Sequence, residues 1–421
     1  MPASEEFTAR LLPLLREVVA VYGTPFHIYD ARGIVATHRA MEAAFAGEPF
    51  RQYFAVKALP NPSVLRLLLA EGSGLDCASP VELELAARVG AEGDAVVFTS
   101  NNTAPQEYAL ARKGGALITF DDRAFFDRVD ELPDVVAFRV APHGLAAGSA
   151  LMGDATRTKF GVPADELADA YREARRRGAR RFGVHGMICA NELDVGRAAR
   201  AAADVIELGA AVAASAGVPL EYVNVGGGLG IPYRPGERPF DFAAYARAIL
   251  AQRDASFPGP DKPKILMECG RYVTGPHGVL VTTVLNRSRK AREIAGLDAS
   301  MSALMRPGFY GAYHHATLPF ADDRAEATVD LVGALCENMD KFAEDRTLPD
   351  PRVGDIVLVH DTGAHGHAMG FTYNGRLRPP ELLLTDDGDV VEIRRAETFE
   401  DYTATARWRP EPVLSAARTA S

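Results

Sequence analysis

The chain has 421 residues, 47% of them hydrophobic and 24% charged, an ordinary globular composition with ample core material for two domains or one large barrel with an addition. A formal net charge of -10 argues against a nucleic-acid partner, since phosphate binding needs clustered Lys and Arg. Met1–Arg10 is polar and acidic where a signal sequence would be apolar, no apolar run reaches membrane-spanning length, and Cys77, Cys189, Cys269 and Cys336 lack zinc or redox spacing, so the expectation is a reduced, cytoplasmic protein with no membrane partner.

Phe7, Leu11, Leu15, Val18 and Tyr22 recur at helical spacing, so an amphipathic helix is predicted over residues 5–22, followed by a short strand at Phe26–Tyr29. Strand-like runs then alternate with helical patterns: Arg51–Val56, Gly74–Cys77, Ala95–Thr99, Ala116–Phe120, Val135–Val140, Phe182–Met187, Glu221–Val225 and Lys264–Glu268. One intervening helix has a clear start at Ser79-Pro-Val-Glu82, where an N-cap serine, a proline at the first helical position and a capping-box glutamate coincide. Val195–Ala216 is an alanine-rich helix, and Arg175–Arg177 with Arg180 and Arg181 close another, where cations suit the helix dipole. Eight strand–helix units imply a parallel sheet and suggest a closed (β/α)₈ TIM barrel. An open doubly wound sheet would place a glycine fingerprint after its first strand, and none is found there. After Pro276 the pattern becomes β-like, at Val279–Leu285, Thr328–Leu335, Asp355–His360 and Val390–Arg394, which reads as a second, mainly β domain. The expected division is residues 1–32 as an N-terminal segment packing with the β domain, 33–276 as the barrel and 277–421 as the β domain, with Pro410–Ser421 frayed.

Barrel enzymes place their catalytic groups at the C-terminal strand ends, and Lys57, Asp76, His185, Gly226 and Glu268 all fall there. Lys57, stopped by Pro60 and Pro62, is the centre of this set. A lysine at the end of a buried strand either snorkels to solvent or serves as an amine nucleophile, its pKa lowered by desolvation. Gly226-Gly-Gly228 follows the seventh strand, where consecutive glycines let backbone N–H groups approach a phosphate. Glu268 sits where it could pair with a protonated pyridine nitrogen, Gly270 could present another backbone donor, and Arg271 could hold a carboxylate through its fork.

Together, Tyr53-Phe-Ala-Val-Lys-Ala-Leu-Pro-Asn-Pro62, Gly74-Leu-Asp-Cys-Ala-Ser79, Gly226-Gly-Gly-Leu-Gly230, Glu268-Cys-Gly-Arg271, Arg306-Pro-Gly-Phe-Tyr-Gly-Ala-Tyr-His314, Cys336-Glu-Asn-Met-Asp340 and Gly363-Ala-His-Gly366 resemble the fold-type III pyridoxal-phosphate decarboxylases, diaminopimelate decarboxylase above all. The resemblance runs from about Pro25 to Arg395 in the family's motif order. It implies an alanine racemase-like barrel plus β domain, pyridoxal 5′-phosphate as cofactor and conversion of meso-2,6-diaminopimelate to L-lysine. It also implies a homodimer with shared active sites. It makes Lys57 the lysine bonded to the cofactor and Cys336 a catalytic residue reaching across from the other subunit. Asp76, His185, Met187, Gly226, Gly227, Gly228, Glu268, Gly270, Arg271 and His365 fall to the cofactor; Arg271, Arg306 and Tyr310 fall to the far carboxylate of the substrate and Glu337 to its far amino group.

Three positions depart from the family's usual motifs: Met187 stands in place of a ring-stacking histidine, Ala190 in place of a serine and His365 in place of a tyrosine. The set is similar to a subgroup of diaminopimelate decarboxylase-like proteins, and a thioether can lie against an aromatic ring as the histidine would. His365 and His367, two apart on an expected strand, would share a face, but no acidic or thiolate partner stands at matching spacing and no metal is expected. The alternatives are decarboxylation of another amino acid, such as ornithine, lysine or an acylated derivative, a racemase on the same barrel, for which the motif order is wrong, or a cofactor-binding protein without turnover.

Overall fold

The computed structural model describes residues 4–141 and 158–409. The helix Glu5–Tyr22 starts on the Ser4 hydroxyl, which accepts the Phe7 N–H, and buries Phe7, Leu11, Leu15 and Val18; Tyr22 ends the helix on its solvent side. Strand β1 (Phe26–Asp30) follows. Strands β2 (Phe50–Ala55), β3 (Gly74–Cys77), β4 (Val96–Thr99), β5 (Leu117–Phe120), β6 (Val135–Arg139), β7 (Arg181–His185), β8 (Tyr222–Asn224) and β9 (Lys264–Met267) then close a barrel, each parallel to the next and β9 parallel to β2. This is the predicted barrel, with strand ends shifted by one or two residues. The predicted capping at Ser79 is present: its hydroxyl accepts the Glu82 N–H and starts the helix Pro80–Val89, while Glu82 reaches back to the Ala78 N–H.

The barrel interior is filled by side chains. Tyr53, Val97, Val135, Ala137, Tyr222 and Leu266 form one layer. Two neighbours of its tyrosines are glycines for a steric reason: a Cβ at Gly74 would collide with the Tyr53 ring, and one at Gly183 with the Tyr222 ring. The helices pack outside, burying the outward faces of the strands in one large apolar cluster, so the C-terminal strand ends are left to form a mouth.

The second sheet contains β1 together with β10 (Gly278–Arg289), β11 (Glu293–Leu297), β12 (Ala316–Thr317), β13 (Glu326–Val332), β14 (Lys341–Pro349), β15 (Ile356–Val359), β16 (Glu381–Leu384) and β17 (Val390–Arg394). β1 lies antiparallel to β10 and parallel to β16, and the Glu5–Tyr22 helix covers that part of the sheet with Phe7, Leu11 and Leu15. The predicted strand through Leu335 ends at Val332, where the Gly333 N–H turns to the Asp340 carbonyl. Strands β11, β12, β14 and β16 were not expected. In β14, exposed residues run consecutively at Glu344 and Asp345, and Asp345 takes a left-handed conformation (φ 47), which breaks the alternation a strand shows in sequence. The expectation for Pro410–Ser421 lies outside the described residues.

One buried carboxylate ties the second sheet to the segment that follows Lys57. Glu381, on β16, accepts from Tyr29 of β1 (2.7 Å), from Asn61 Nδ2 (3.0 Å) and from Arg394. Asn61 caps the helix Pro62–Ala70, four residues after Lys57, and the Arg394 guanidinium also donates to the Pro60 carbonyl. The segment leaving Lys57 is thus fixed by the β domain.

Candidate active site

A cavity of about 390 Å³ opens at the C-terminal strand ends, and Lys57, Asp76, His185, Met187, Gly228, Glu268, Gly270, Arg271 and His365 line it. Ala190 lines it as well, together with Thr99, Asn101, Arg139 and Phe160. Lys57 sits in the turn Val56–Ala58 that ends β2; its backbone neighbours are buried, while its side chain, 59% exposed, projects into the opening. Its Nζ lies 3.7 Å from Asp76 Oδ2 at the end of β3, and Asp76 Oδ1 is buried without a partner among the described residues. Desolvation was expected to lower the pKa of this amine. The structure reverses that: Asp76 outweighs burial and raises the Lys57 ammonium above its ordinary value.

Glu268 follows β9 at the floor of the cavity. Oε2 accepts from His185 Nε2 (3.0 Å), and Oε1 accepts from Asn224 Nδ2 (2.7 Å) and Thr99 Oγ1 (3.2 Å). Burial alone would raise its pKa, but His185, Lys57 and Asn224 outweigh burial and hold it below the ordinary carboxylate range. Because the carboxylate only accepts, His185 Nε2 is the donor, and among the described residues its Nδ1 is buried without a partner. Opposite, Arg139 from the end of β6 pairs with Asp121 (3.1 Å) and stacks over Phe160 at 4.2 Å from the ring centroid. Neither residue stands out in sequence, where an arginine ending a strand and an acid after one look like surface.

The glycine run passes behind Met187. Gly226 and Gly228 have positive φ (69 and 84), and a Cβ on Gly227 or Gly228 would collide with the Glu268 or Cys189 carbonyl. Met187 Sδ accepts the Gly227 N–H at 3.2 Å, so the thioether is held between the run and the cavity. Gly228 lines the cavity, and Gly226 and Gly227 support it from behind.

His365 reaches the cavity on a tight turn, not on a strand. It has φ 57, and its N–H donates to the Ala58 carbonyl beside Lys57 (2.8 Å). His367 turns away, its Nε2 donating to the Pro379 carbonyl (3.1 Å) with Glu381 near its other nitrogen. The expected shared face of the two histidines is therefore absent. Burial, then Arg271, Arg306 and Lys57, lower His365 to about 3, so it faces the cavity as a neutral ring.

Arg306 does not line the cavity but joins it through Tyr233, a residue the sequence reading passed over. The Tyr233 hydroxyl oxygen accepts from Arg271 Nη1 (2.6 Å) and from Arg306 Nη1 (2.9 Å). Tyr310, Cys336 and Glu337 lie apart from the cavity of this chain: Tyr310 is 54% exposed, and Cys336 and Glu337 are also at the surface. The two segments that carry them meet, since a Cβ at Gly308 would collide with the Met339 carbonyl.

The donor set fits pyridoxal phosphate. An amine stands at one side of a cavity in the size range of small-molecule sites, an anionic carboxylate at its floor, glycine backbone on another wall, and unpartnered buried polar atoms on Asp76 and His185 beside them.

Residues 31–275 match the family described as "Pyridoxal-dependent decarboxylase, pyridoxal binding domain". The chain is 64% identical to "Protein TabA" of Pseudomonas amygdali pv. tabaci, covering 99% of each protein. It is 35% identical to the diaminopimelate decarboxylase of Methanothermobacter thermautotrophicus, over 91% of this chain and 92% of that one. A crystal structure of diaminopimelate decarboxylase from M. jannaschi superposes with a TM-score of 0.85 at 27% identity, covering 94% of each chain. The chain belongs to the fold-type III pyridoxal-phosphate-dependent decarboxylases, and pyridoxal 5′-phosphate is its cofactor.

Proposed function

We propose that the substrate is an amino acid whose far end carries a second carboxylate and amine, with meso-2,6-diaminopimelate decarboxylated to L-lysine and carbon dioxide. The observation that carries this reading is the pair Arg271 and Arg306 on one tyrosine beside the Lys57 cavity. Among the described residues, the hydrogen-bond partners of both guanidiniums are neutral, so their charge is left for a ligand. Lys57 would hold the cofactor until the substrate amine displaces it, and the cofactor ring would then supply an electron sink as the α-carboxylate leaves. Glu268, held anionic by His185 and Asn224, can keep a ring nitrogen protonated. Met187 packs against the ring in a position shared with the diaminopimelate decarboxylase-like subgroup, and Asp76, His365 and the backbone at Gly226–Gly228 and Gly270 complete the cofactor site.

Tyr310, Glu337 and Cys336 serve a site only if a second copy of the chain covers this face, and a homodimer is part of the proposal. Phe309, Tyr310 and Met339 support it as exposed apolar side chains on the two segments that meet at Gly308 and Met339. In that dimer Cys336 brings a thiol to the reacting carbon and Glu337 accepts the far ammonium. Barrel and β-domain limits at 33–276 and 277–421, with residues 1–32 on the β domain, and a cytoplasmic setting complete this reading.

A second reading keeps the chemistry and changes the substrate. The relative at 64% identity is not named a diaminopimelate decarboxylase, whereas relatives that are so named stand at 34% and 35%. The test is the purified, cofactor-loaded protein offered meso-diaminopimelate, L-lysine and L-ornithine in parallel, with carbon dioxide measured. Preference for diaminopimelate supports the first reading; preference for lysine or ornithine overturns it.

A further inference from the structure

An arginine buried in a protein is usually paired with a carboxylate, because an unpaired charge is costly away from water. Arg306 is not. Its Nη1 donates to the Tyr233 hydroxyl (2.9 Å) and to His314 Nε2 (2.8 Å), and its guanidinium carbon lies 4.9 Å from the centre of the Tyr233 ring. The Tyr233 and His314 rings themselves meet edge to face, 5.1 Å apart.

The protonation of His314 is fixed by its neighbours. A guanidinium only donates, so Nε2 must accept; Nδ1 then carries the proton and donates to the His360 carbonyl at 2.8 Å. Burial, and then Arg306, lower His314 to about 3, in keeping with this neutral tautomer. Arg346 donates to the His314 carbonyl (3.0 Å) and holds the segment in place. Tyr233 accepts from Arg271 at the same time (2.6 Å), which leaves its own hydroxyl proton available as a donor. The two guanidiniums are thus aimed by groups that accept a hydrogen bond without carrying a negative charge.

We propose that Tyr233 and His314 are specificity-determining positioning residues: they aim Arg271 and Arg306 through neutral acceptors, so the charge of the pair is left for the far carboxylate of the substrate. A glutamate or aspartate at either position would hold the arginine equally well and neutralise it. This rests on the reading that the arginine pair takes the far carboxylate.

The test is equilibrium binding of two unreactive acids to the cofactor-loaded protein, heptanedioate and heptanoate, which differ in the second carboxylate. Wild type should favour heptanedioate by about tenfold or more, the value of one charge-assisted contact. His314→Gln keeps a neutral acceptor and should retain most of that ratio. His314→Glu has nearly the same shape and should bring the ratio close to one while the visible cofactor band persists. Tyr233→Phe, which keeps the ring and removes the shared acceptor, should lower the ratio several-fold and provides the test should His314→Glu fail to fold. If wild type binds the two acids equally, the far-carboxylate reading fails and takes this inference with it. If wild type discriminates and His314→Glu and His314→Gln behave alike, or Tyr233→Phe leaves the ratio intact, the assignment of Tyr233 and His314 alone is overturned.

Discussion

Lys57 Nζ lies 3.7 Å from Asp76 Oδ2, at the ends of two adjacent barrel strands. The pairing raises the Lys57 ammonium, so the cofactor-free protein holds its amine protonated at neutral pH. The neutral amine is the form that captures an aldehyde. The rate at which cofactor-free protein develops the visible band of lysine-bound pyridoxal phosphate should therefore climb with pH up to a midpoint above the ordinary lysine value of about 10.4. Asp76→Asn should move that midpoint down and speed capture at pH 8, and Lys57→Ala should develop no band. An unchanged midpoint in Asp76→Asn would contradict the pairing.

Glu268 makes the opposite prediction about stability. Its folded-state pKa lies below the ordinary carboxylate value of about 4.3, so its contribution is present above that value and is lost as pH falls through the folded value. Glu268→Gln loses the charge that gathers His185, Asn224 and Thr99. In cofactor-free protein it should cost about 1–3 kcal/mol at pH 7 by urea unfolding. The gap to wild type should narrow below pH 4. A gap independent of pH would mean that Glu268 is not held as an anion.

Met187 separates cofactor affinity from fold stability. Its thioether accepts the Gly227 N–H on the cavity side of the barrel, so truncation removes a wall of the site and little of the core. A sulfur–aromatic contact is worth about 0.3–1.5 kcal/mol, so Met187→Ala should weaken pyridoxal phosphate retention by up to about tenfold. Melting of the cofactor-free protein should move by only a few degrees. A collapse of melting temperature with unchanged cofactor affinity would make Met187 a core residue.

Cys336 and Lys57 do not meet within one chain. If the thiol serves the site of a second copy, mixing inactive Lys57→Ala with inactive Cys336→Ala protein should recover part of the activity, because a hybrid dimer contains one intact composite site. No recovery after demonstrated subunit exchange would contradict the shared site.

The barrel was legible because its strands are short apolar runs alternating with helices, with start signals such as the cap at Ser79 that are local. The places of Lys57, Asp76, His185 and Glu268 were legible for the same reason, since each ends or follows a strand and the barrel brings such positions to one mouth, whereas Met187 was singled out only by the family resemblance. The second sheet was half legible, because a strand such as β16 hides a buried charge at Glu381 whose partners Tyr29, Asn61 and Arg394 are distant in sequence. Tyr233 and His314 were missed on similar grounds. A tyrosine after a glycine run reads as packing, and nothing in its neighbourhood along the chain reveals that two guanidiniums, from positions 271 and 306, share its oxygen. The Lys57 pKa went the other way from expectation because the sequence shows a strand end but not which acid stands beside it.

The measurement that bears most directly on this account is the ratio of kcat/KM for meso-diaminopimelate to that for L-lysine, in wild type and in Arg306→Ala. The far carboxylate exists only on the first substrate. Losing a charge-assisted contact of about 1.5–3 kcal/mol should lower diaminopimelate turnover by roughly tenfold to a few hundredfold, with any slow turnover of lysine barely changed. Arg306→Lys keeps the charge without the fork and should fall between the two. Wild type that prefers lysine, or Arg306→Ala that turns over diaminopimelate as wild type does, would contradict the claim that the arginine pair reads the far end of the substrate.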